Sequence, residues 1–216
     1  MYNYEEIYQT MKKAAKFALI KTIPIFLGYI FLGIAFGLLL QKSGLSVFWA
    51  FLISTLVYAG SMQFALVGIL TGGLSYVTTA VMTLFINSRH AFYGLTFIER
   101  FKEMRKAYPY MVFSLTDETY SLLCSMARPS AFTDKEWKAA TFFTAFFDQC
   151  YWIAGSVLGA LMGELITFDT TGIDFAMTAL FVVICVDQWK AAKTHIPAVT
   201  GFICGALFLV LIRSSN

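Results

Sequence analysis

The chain alternates long apolar stretches with short segments that carry most of its charged side chains. Residues 22–41 contain no charged residue, and the 46 residues of 43–88 contain none either. A helix needs about 20 apolar residues to cross the hydrocarbon core of a bilayer. The first stretch therefore predicts one span. The second predicts two spans joined by a turn at Thr71-Gly72-Gly73, because paired glycines interrupt a helix.

The remaining charges divide the rest of the chain into further spans. Mixed-charge loops are expected at 99–106 and 128–138, and an acidic loop at 167–174. The apolar runs lack the alternation of barrel strands, so the spanning elements should be helices. We expect an all-α protein, a polytopic transmembrane helix bundle of six or seven spans, whose third segment either crosses or is broken or re-entrant at 87–90. The predicted spans are 22–41, 45–70, 74–98, 108–127, 139–166, 175–186 and 196–212.

Composition supports this class and leaves no room for a soluble domain. Hydrophobic residues make up 58% of the chain and charged residues 13%, whereas soluble domains carry about 25% charge. We expect a single integral membrane domain over residues 1–216, multi-pass in the cell membrane, with 1–21 as a cytoplasmic amphipathic lead-in. Seven spans with the N-terminus inside would leave the cationic loop 99–106 outside, against the positive-inside rule. We nevertheless favour the N-terminus inside.

Glycines repeat at every fourth position in three of the predicted spans. This spacing places small residues along one face of a helix, where a second helix can approach closely. The pattern therefore predicts tight helix pairs, without indicating a function. The repeats are Gly33 and Gly37, Gly155, Gly159 and Gly163, and Gly201 and Gly205.

Charged and titratable residues inside the predicted spans are the strongest functional signal. Such groups are costly in a bilayer and usually mark a substrate or ion path. Each has a structural alternative. Arg89 could extend to the interface, His90 could be a satisfied interior histidine, and Asp148 could form a permanent salt bridge with Arg89. Asp117 and Glu118 point about 100° apart on a helix, so one should face the interior and the other should cap a break or pair with a cation.

This inventory suits an amino acid zwitterion. The substrate carboxylate would bind Arg89 or free N–H groups at a helix break, and its ammonium would bind Asp117 or Asp148. Aromatic neighbours surround Asp148, and an apolar setting disfavours a charged carboxylate. Asp148 therefore suits a group that binds and releases a proton. Ser61, Gln63 and Asn87 add uncharged polar groups at membrane depth. Gly60 and Ser61 could loosen the helix in the middle of the span 45–70 and leave backbone groups free for a ligand.

Three motifs carry a resemblance to a known family. They are Ala59-Gly60-Ser61-Met62-Gln63-Phe64, Asn87-Ser88-Arg89-His90-Ala91-Phe92-Tyr93-Gly94-Leu95 and Thr116-Asp117-Glu118. Together they resemble the AzlC family, the large subunits of branched-chain amino acid exporters. The resemblance implies export of valine, leucine and isoleucine across the bacterial cytoplasmic membrane. It also implies a separately encoded, small hydrophobic partner subunit of the AzlD type.

We therefore expect a secondary transporter that exports branched-chain or similar small apolar amino acids. Because the chain has no P-loop for ATP, the energy should come from an ion gradient or from a separate subunit, and we expect the proton gradient. No cofactor, metal or catalytic residue is expected. The predicted substrate-binding residues are Arg89, Ser61, Gln63 and Asn87, and the predicted proton-coupling residues are Asp148, Asp117, Glu118 and His90.

Two other functional classes compete with this interpretation. A passive channel or a membrane scaffold subunit would need no coupling carboxylate. An intramembrane enzyme could use His90 with Asp117, or Asp117 with Asp148, as acid and base. The enzyme is disfavoured because neither H-E-x-x-H nor G-x-S-x-G occurs in the chain.

Overall fold

The computed structural model describes residues 4–165 and 194–213, together with a few positions between them. Regular structure in these residues is helical, as the sequence predicts. The chain forms two compact units, Met1–Ile173 and Asp174–Asn216. The helices of the first unit are α1 (Tyr4–Lys42), α2 (Val47–Leu56), α3 (Gly60–Gly72), α4 (Tyr76–Lys102), a 3-10 turn (Arg105–Ala107), α5 (Tyr108–Phe113), α6 (Asp117–Ser125) and α7 (Asp134–Leu165). The second unit contains α8 (Ile196–Arg213).

The long helices α1 and α7 run parallel and in contact. The Lys13 ammonium lies 2.9 Å from the Glu136 carboxylate near the start of both helices. Towards the other end, the Gln41 side chain lies against Gly163. Between them the two backbones touch, because a Cβ added to Gly33 would lie 2.9 Å from the Cα of Gly155. The predicted close packing is confirmed for these two glycine repeats.

The predicted span 45–70 is two helices, α2 and α3, and the expectation of one continuous span is wrong. Helix α2 starts beyond the end of α1 and reaches the middle of α7, where Gln149 donates a hydrogen bond to the Thr55 carbonyl (3.2 Å). The chain reverses at Val57–Ala59, and α3 returns alongside α4. Its residues Ala59, Met62 and Ile69 form a cluster that packs against Met82 and Ile86. We call α2, α3 and their connection the first hairpin.

The turn that ends the first hairpin was predictable from its glycines. Helix α3 ends at Gly72, and Gly73 adopts a left-handed conformation (φ 62°) that favours glycine. The following helix starts at Tyr76, after the Ser75 hydroxyl accepts a hydrogen bond from the Thr78 N–H (3.2 Å). The predicted turn at 71–73 is confirmed.

Helix α4 is continuous through 87–90, so the predicted break or re-entry of the third segment is wrong. The helix runs antiparallel to α7. Near its end, Arg100 donates a hydrogen bond to the Thr141 hydroxyl (2.6 Å), and Glu103 just beyond it pairs with Lys138 (3.0 Å). The end of α4 therefore lies beside the start of α7.

The predicted span 108–127 is also two helices, α5 and α6. The Tyr110 ring packs on Phe142 near the start of α7, with ring centres 5.2 Å apart. Helix α6 then runs antiparallel to α7, because Thr119 contacts Asp148 while Met126, just past its end, contacts Thr144. We call α5, α6 and the connection Ser114–Thr116 the second hairpin. It enters from the end of the molecule opposite to the first.

Hydropathy and the observed helices agree only in part. Among the described residues, α1 alone combines the length and apolar character that a membrane-crossing helix needs. Helix α7 begins at Asp134, inside the loop expected at 128–138, and α8 covers the predicted span 196–212. The predicted loop 167–174 and most of the predicted span 175–186 lie outside the described residues.

Candidate functional site

The tips of the two hairpins meet beside the middle of α7. Tyr58 at the first tip and Phe113 next to the second have ring centres 6.2 Å apart. Helices α3 and α6 both begin here, so two helix N-termini lie at the same place. Most of the predicted site residues surround this contact, namely Ser61, Gln63, Arg89, Asp117, Glu118 and Asp148.

Arg89 of α4 joins the two hairpins. One of its terminal nitrogens, Nη2, donates to the Ser61 hydroxyl (2.7 Å) and lies 2.9 Å from Asp117 Oδ2. Tyr93 donates to the other oxygen of Asp117, so that carboxylate is fully engaged. The Nε atom of Arg89 is buried and has no partner. The alternatives of a permanent Arg89–Asp148 salt bridge and of an Arg89 extended to the interface are both wrong.

Asp117 and Glu118 lie in the first turn of α6 and not in the middle of a span. Thr116 caps this helix by accepting a hydrogen bond from the Thr119 N–H (3.3 Å). Acidic residues are favourable in a first turn because the helix dipole places positive charge there. The two carboxylates take different partners: Asp117 pairs with Arg89, whereas Glu118 accepts a hydrogen bond from the Tyr29 hydroxyl (2.8 Å).

Asp148 is completely buried, with 0% of its surface exposed. Its Oδ2 accepts a hydrogen bond from the Thr119 hydroxyl (2.8 Å), and its Oδ1 has no partner. No cation of the described residues pairs with it. A buried carboxylate with an unused oxygen is costly, and such groups in membrane proteins mark binding or proton-transfer sites.

The first tip combines backbone strain with an unsatisfied hydroxyl. Tyr58 has a φ of 41°, a left-handed conformation that is costly for a bulky residue. Its side chain is 3% exposed, and its hydroxyl has no hydrogen-bond partner. Strain and an unpaired polar group at one residue indicate a functional site.

Gln63 holds the first tip in place. Its Oε1 accepts hydrogen bonds from the Ala59 N–H (3.2 Å) and from Trp152 Nε1 (2.9 Å). Its Nε2 donates to the Ser54 hydroxyl (3.1 Å). The side chain of Ala59 is a methyl group and cannot accept a hydrogen bond. The first N–H groups of α3 therefore have no side-chain cap. An uncapped N-terminus favours an anion.

The two remaining predicted residues lie on α4 near Arg89. The Oδ1 of Asn87 is buried and has no partner. The His90 ring contacts the Tyr93 ring, with centres 5.8 Å apart. In the described part of the chain, no three His, Cys, Asp or Glu side chains converge as a metal site would require.

The sequence interpretation missed the hydroxyl groups of the site. These residues looked ordinary because single tyrosines and threonines are common in apolar helices. Two signals were available: Thr116 followed by two acidic residues is a helix-start pattern, and a buried hydroxyl needs a partner. The missed residues are Tyr29, Tyr58, Tyr93, Thr116 and Thr119.

Comparison with known proteins gives a consistent assignment. The family model described as AzlC protein matches residues 24–166. The branched-chain amino acid transport protein AzlC of Bacillus subtilis (strain 168) is 36% identical over 195 residues, which cover 90% of this chain and 76% of that protein. An uncharacterized membrane protein of Helicobacter pylori (strain ATCC 700392 / 26695) is 35% identical over 199 residues, covering 92% and 86%.

A more distant relative extends the comparison. The inner membrane protein YgaZ of Escherichia coli (strain K12) is 26% identical over 202 residues, covering 89% of this chain and 80% of that protein. No solved structure matches the chain. The family model spans both hairpins and all of α7, and the chain is therefore a member of the AzlC family of membrane proteins.

Proposed function

We propose that the protein is a secondary transporter that exports branched-chain or similar small apolar amino acids in exchange for protons. The observation that carries the proposal is the meeting of the two hairpin tips between Arg89 and the buried Asp148. The name of the Bacillus subtilis relative supports the substrate class. We include in the proposal that the protein functions together with a small AzlD-type membrane subunit. This part rests on the family resemblance.

Two ends of the site match the two charges of an amino acid. The substrate carboxylate binds the unpaired Nε of Arg89 and the uncapped N-terminus of α3. The substrate ammonium binds the unpaired Oδ1 of Asp148, beside the unpaired hydroxyl of Tyr58. Asp117 balances the charge of Arg89 when no substrate is bound.

The other predicted residues do not bind the charged groups of the substrate through a charge of their own. Ser61 and Asn87 line the carboxylate end, and Ser61 already accepts a hydrogen bond from Arg89. Gln63 holds the hairpin tip, because all its hydrogen bonds go to protein groups. His90 contacts neither Asp148 nor Glu118 and stays outside the coupling set.

Coupling follows from competition for one carboxylate. Asp148 holds either the substrate ammonium or a proton, since both neutralise the same buried charge. When the substrate leaves to the outside, a proton takes the place of its ammonium on Asp148. This proton must leave Asp148 towards the inside before the next substrate binds. This competition gives one-for-one exchange without ATP.

We infer from the parallel and antiparallel contacts a topology in which α1, α4 and α7 cross the membrane and the two hairpins enter from opposite sides. Loop 99–106 then lies on the N-terminal side, because Glu103 pairs with Lys138. All lysines and arginines of residues 1–165 except Lys42 and Arg89 fall on this side. The positive-inside rule places it in the cytoplasm. This arrangement resolves the charge conflict of a seven-span bundle.

The hairpins supply the gates in this topology. The first hairpin enters from the outer face and the second from the cytoplasmic face, and their tips touch at the site. Withdrawal of one tip exposes the site to one side while the other tip keeps it closed. Broken helices at mid-membrane serve this purpose in many secondary transporters.

Counterflow of labelled leucine into proteoliposomes, with and without the AzlD-type subunit, tests this function. We expect leucine counterflow and leucine-driven proton movement that depends on the pH gradient. Asp148→Asn and Arg89→Gln should each reduce counterflow by at least about tenfold, because each removes one charged partner of the substrate. Asp134→Asn, an exposed acid at the start of α7, is the matched control.

Three results would contradict parts of the proposal. Wild-type counterflow by Asp148→Asn would exclude the ammonium site. Non-saturable leucine flux without counterflow would indicate a channel. An absence of leucine transport by the purified pair of subunits would remove the substrate assignment.

A further inference from the structure

Three buried hydroxyl groups connect Asp148 to Glu118 without a gap. The Thr119 hydroxyl lies 2.8 Å from Asp148 Oδ2 and 3.1 Å from the Thr116 hydroxyl. The Thr116 hydroxyl lies 2.6 Å from the Tyr29 hydroxyl, which lies 2.8 Å from Glu118 Oε2. All four separations are hydrogen-bond distances.

We propose that Tyr29, Thr116 and Thr119 form a proton relay between Glu118 and Asp148. The inference deepens the proposed function and rests on it, because it names the path of the coupling proton. It adds residues that the substrate site does not use. The three side chains are buried and come from α1 and from the second hairpin.

The two carboxyl groups differ in burial: Asp148 is fully enclosed, whereas Glu118 is half-buried in the first turn of α6. A proton on Asp148 has no direct contact with water, so its exchange needs a route through the protein. The hydroxyl chain is such a route and ends at the hairpin that forms the cytoplasmic gate.

Proton transfer along the chain balances at every link. With a proton on Asp148, each group donates to the next: Asp148 to Thr119, Thr119 to Thr116, Thr116 to Tyr29, and Tyr29 to Glu118. Each O–H bond then breaks as the next one forms. The result is a protonated Glu118 and an ionised Asp148, and every hydroxyl has lost one proton and gained one.

The groups around the relay permit this transfer. No described cation pairs with Asp148 or Glu118 directly, so neither carboxylate is fixed in the charged state by an ion pair. Arg89 acts on Glu118 from a distance and is itself paired with Asp117. The titratable groups that face Asp148 are Tyr29 of α1, Tyr58 of the first tip, Tyr110 of α5 and Glu118 of α6.

The relay gives the proton a route away from Asp148 that differs from the route of the substrate. A proton that enters while the first hairpin is open neutralises Asp148. Transfer to Glu118 carries the proton to the cytoplasmic gate and restores the charge on Asp148. The substrate ammonium can then bind from inside. Substrate and proton thus use the same carboxylate but leave it by different routes.

Two single substitutions interrupt the relay with little change in shape. Tyr29→Phe removes one hydroxyl and keeps the ring that packs against Trp152 (ring centres 5.4 Å apart). Thr119→Val removes another and keeps the branched side chain. Matched controls are Tyr151→Phe and Thr144→Val, which remove buried or half-buried hydroxyls of α7 that lie outside the relay.

The experiment compares two readouts in proteoliposomes across the pH range. Leucine counterflow without a gradient needs no net proton movement, whereas leucine-driven proton flux does. We expect Tyr29→Phe and Thr119→Val to lower leucine-driven proton flux by at least about tenfold more than they lower counterflow. Thr119→Ser should retain proton flux because it keeps the hydroxyl, and both control variants should behave as wild type.

The outcomes separate the relay from the proposed function. Wild-type proton flux in both variants would overturn the relay, and so would an equal loss of counterflow and proton flux in both, which indicates a structural role. Absence of leucine-driven proton flux in the wild type would overturn the proposed function itself. Tyr29 and Thr119 lie on different helices, so one variant remains informative if the other does not fold.

Discussion

Glu136 shows how a single side chain can join two helices at the end of the molecule where α7 begins. Its Oε2 accepts hydrogen bonds from the Thr133 N–H (2.7 Å) and hydroxyl (3.1 Å), and the Thr133 hydroxyl accepts one from the Glu136 N–H (3.3 Å). This reciprocal pair is a capping box that starts α7. The other carboxylate oxygen, Oε1, pairs with Lys13 of α1.

This arrangement predicts a pH-dependent stability. The Thr133 N–H and the Lys13 ammonium hold the pKa of Glu136 below its ordinary value. The stabilisation is therefore complete above the ordinary glutamate pKa and is lost as the pH falls through the lowered value. Glu136→Gln should lower the Tm at neutral pH, and the difference from wild type should shrink on acidification.

Thermal unfolding in detergent across the acid range measures this effect. Glu99→Gln, which alters an exposed pair with Lys102, serves as the control and should leave the Tm almost unchanged. A Glu136→Gln deficit that stays constant with pH would show that the ionised carboxylate is not the source of the stabilisation.

At the residue scale, the sequence singled out the charged groups that lie near the hairpin tips but not how they pair. Arg89, Asp117 and Asp148 were visible because a charge inside an apolar run is conspicuous. Their partners depend on the two hairpin tips, which bring residues far apart in sequence together. Tyr29 and Glu118, for example, meet across 89 positions. No local pattern encodes that contact.

At the element scale, hydropathy could not separate a hairpin from a span. The apolar stretch 45–70 has the length of one crossing helix, but two short helices that enter and leave from one side need the same number of apolar residues. The break lies at Tyr58, next to the Gly60 and Ser61 that were expected to loosen the helix, but a loosened helix does not by itself predict that the chain reverses. The bounds of α4 and α7 were predicted more closely, whereas α1 begins at Tyr4, well before the predicted span.

The α1–α7 contact predicts which glycines are indispensable. A Cβ on Gly37 would overlap the Ser156 carbonyl oxygen, which is backbone and cannot turn aside. Gly37→Ala should therefore destabilise the protein by about 1–3 kcal/mol, as overpacking does. A Cβ on Gly28 of the same helix meets nothing within 4 Å, so Gly28→Ala should be neutral or slightly stabilising.

The two glycine variants are compared by their Tm in the same detergent. Equal Tm values for Gly37→Ala and Gly28→Ala would contradict the backbone contact between the two helices. A lower Tm for Gly37→Ala alone supports it, since both substitutions add the same methyl group to α1.

At the scale of the whole molecule, the hairpin tips should separate during transport. A Tyr58→Cys/Phe113→Cys pair, in a background without the native cysteines, places thiols where the rings now touch. A short bifunctional maleimide should join them and abolish leucine counterflow, because neither gate could then withdraw. The reagent should lower counterflow of the pair more than that of either single variant, and the untreated pair should be as active as the untreated single variants.

Full counterflow in the cross-linked pair would contradict the two-gate arrangement. Mass spectrometry of the cross-linked peptide confirms that the bridge has formed. The topology behind this prediction could not be read from the sequence, because charge counts depend on knowing which segments cross.

The contact of α1 with α7 has a further consequence for the transport cycle. Where Gly33 and Gly37 face Gly155 and Gly159, no side chain lies between the helices to change rotamer and absorb a shift. Sliding by one turn would drive larger side chains into the opposing backbone. The pair therefore forms a rigid frame. In the transport cycle proposed above, the free energy of substrate and proton binding would move the short hairpins and leave the long helices in place.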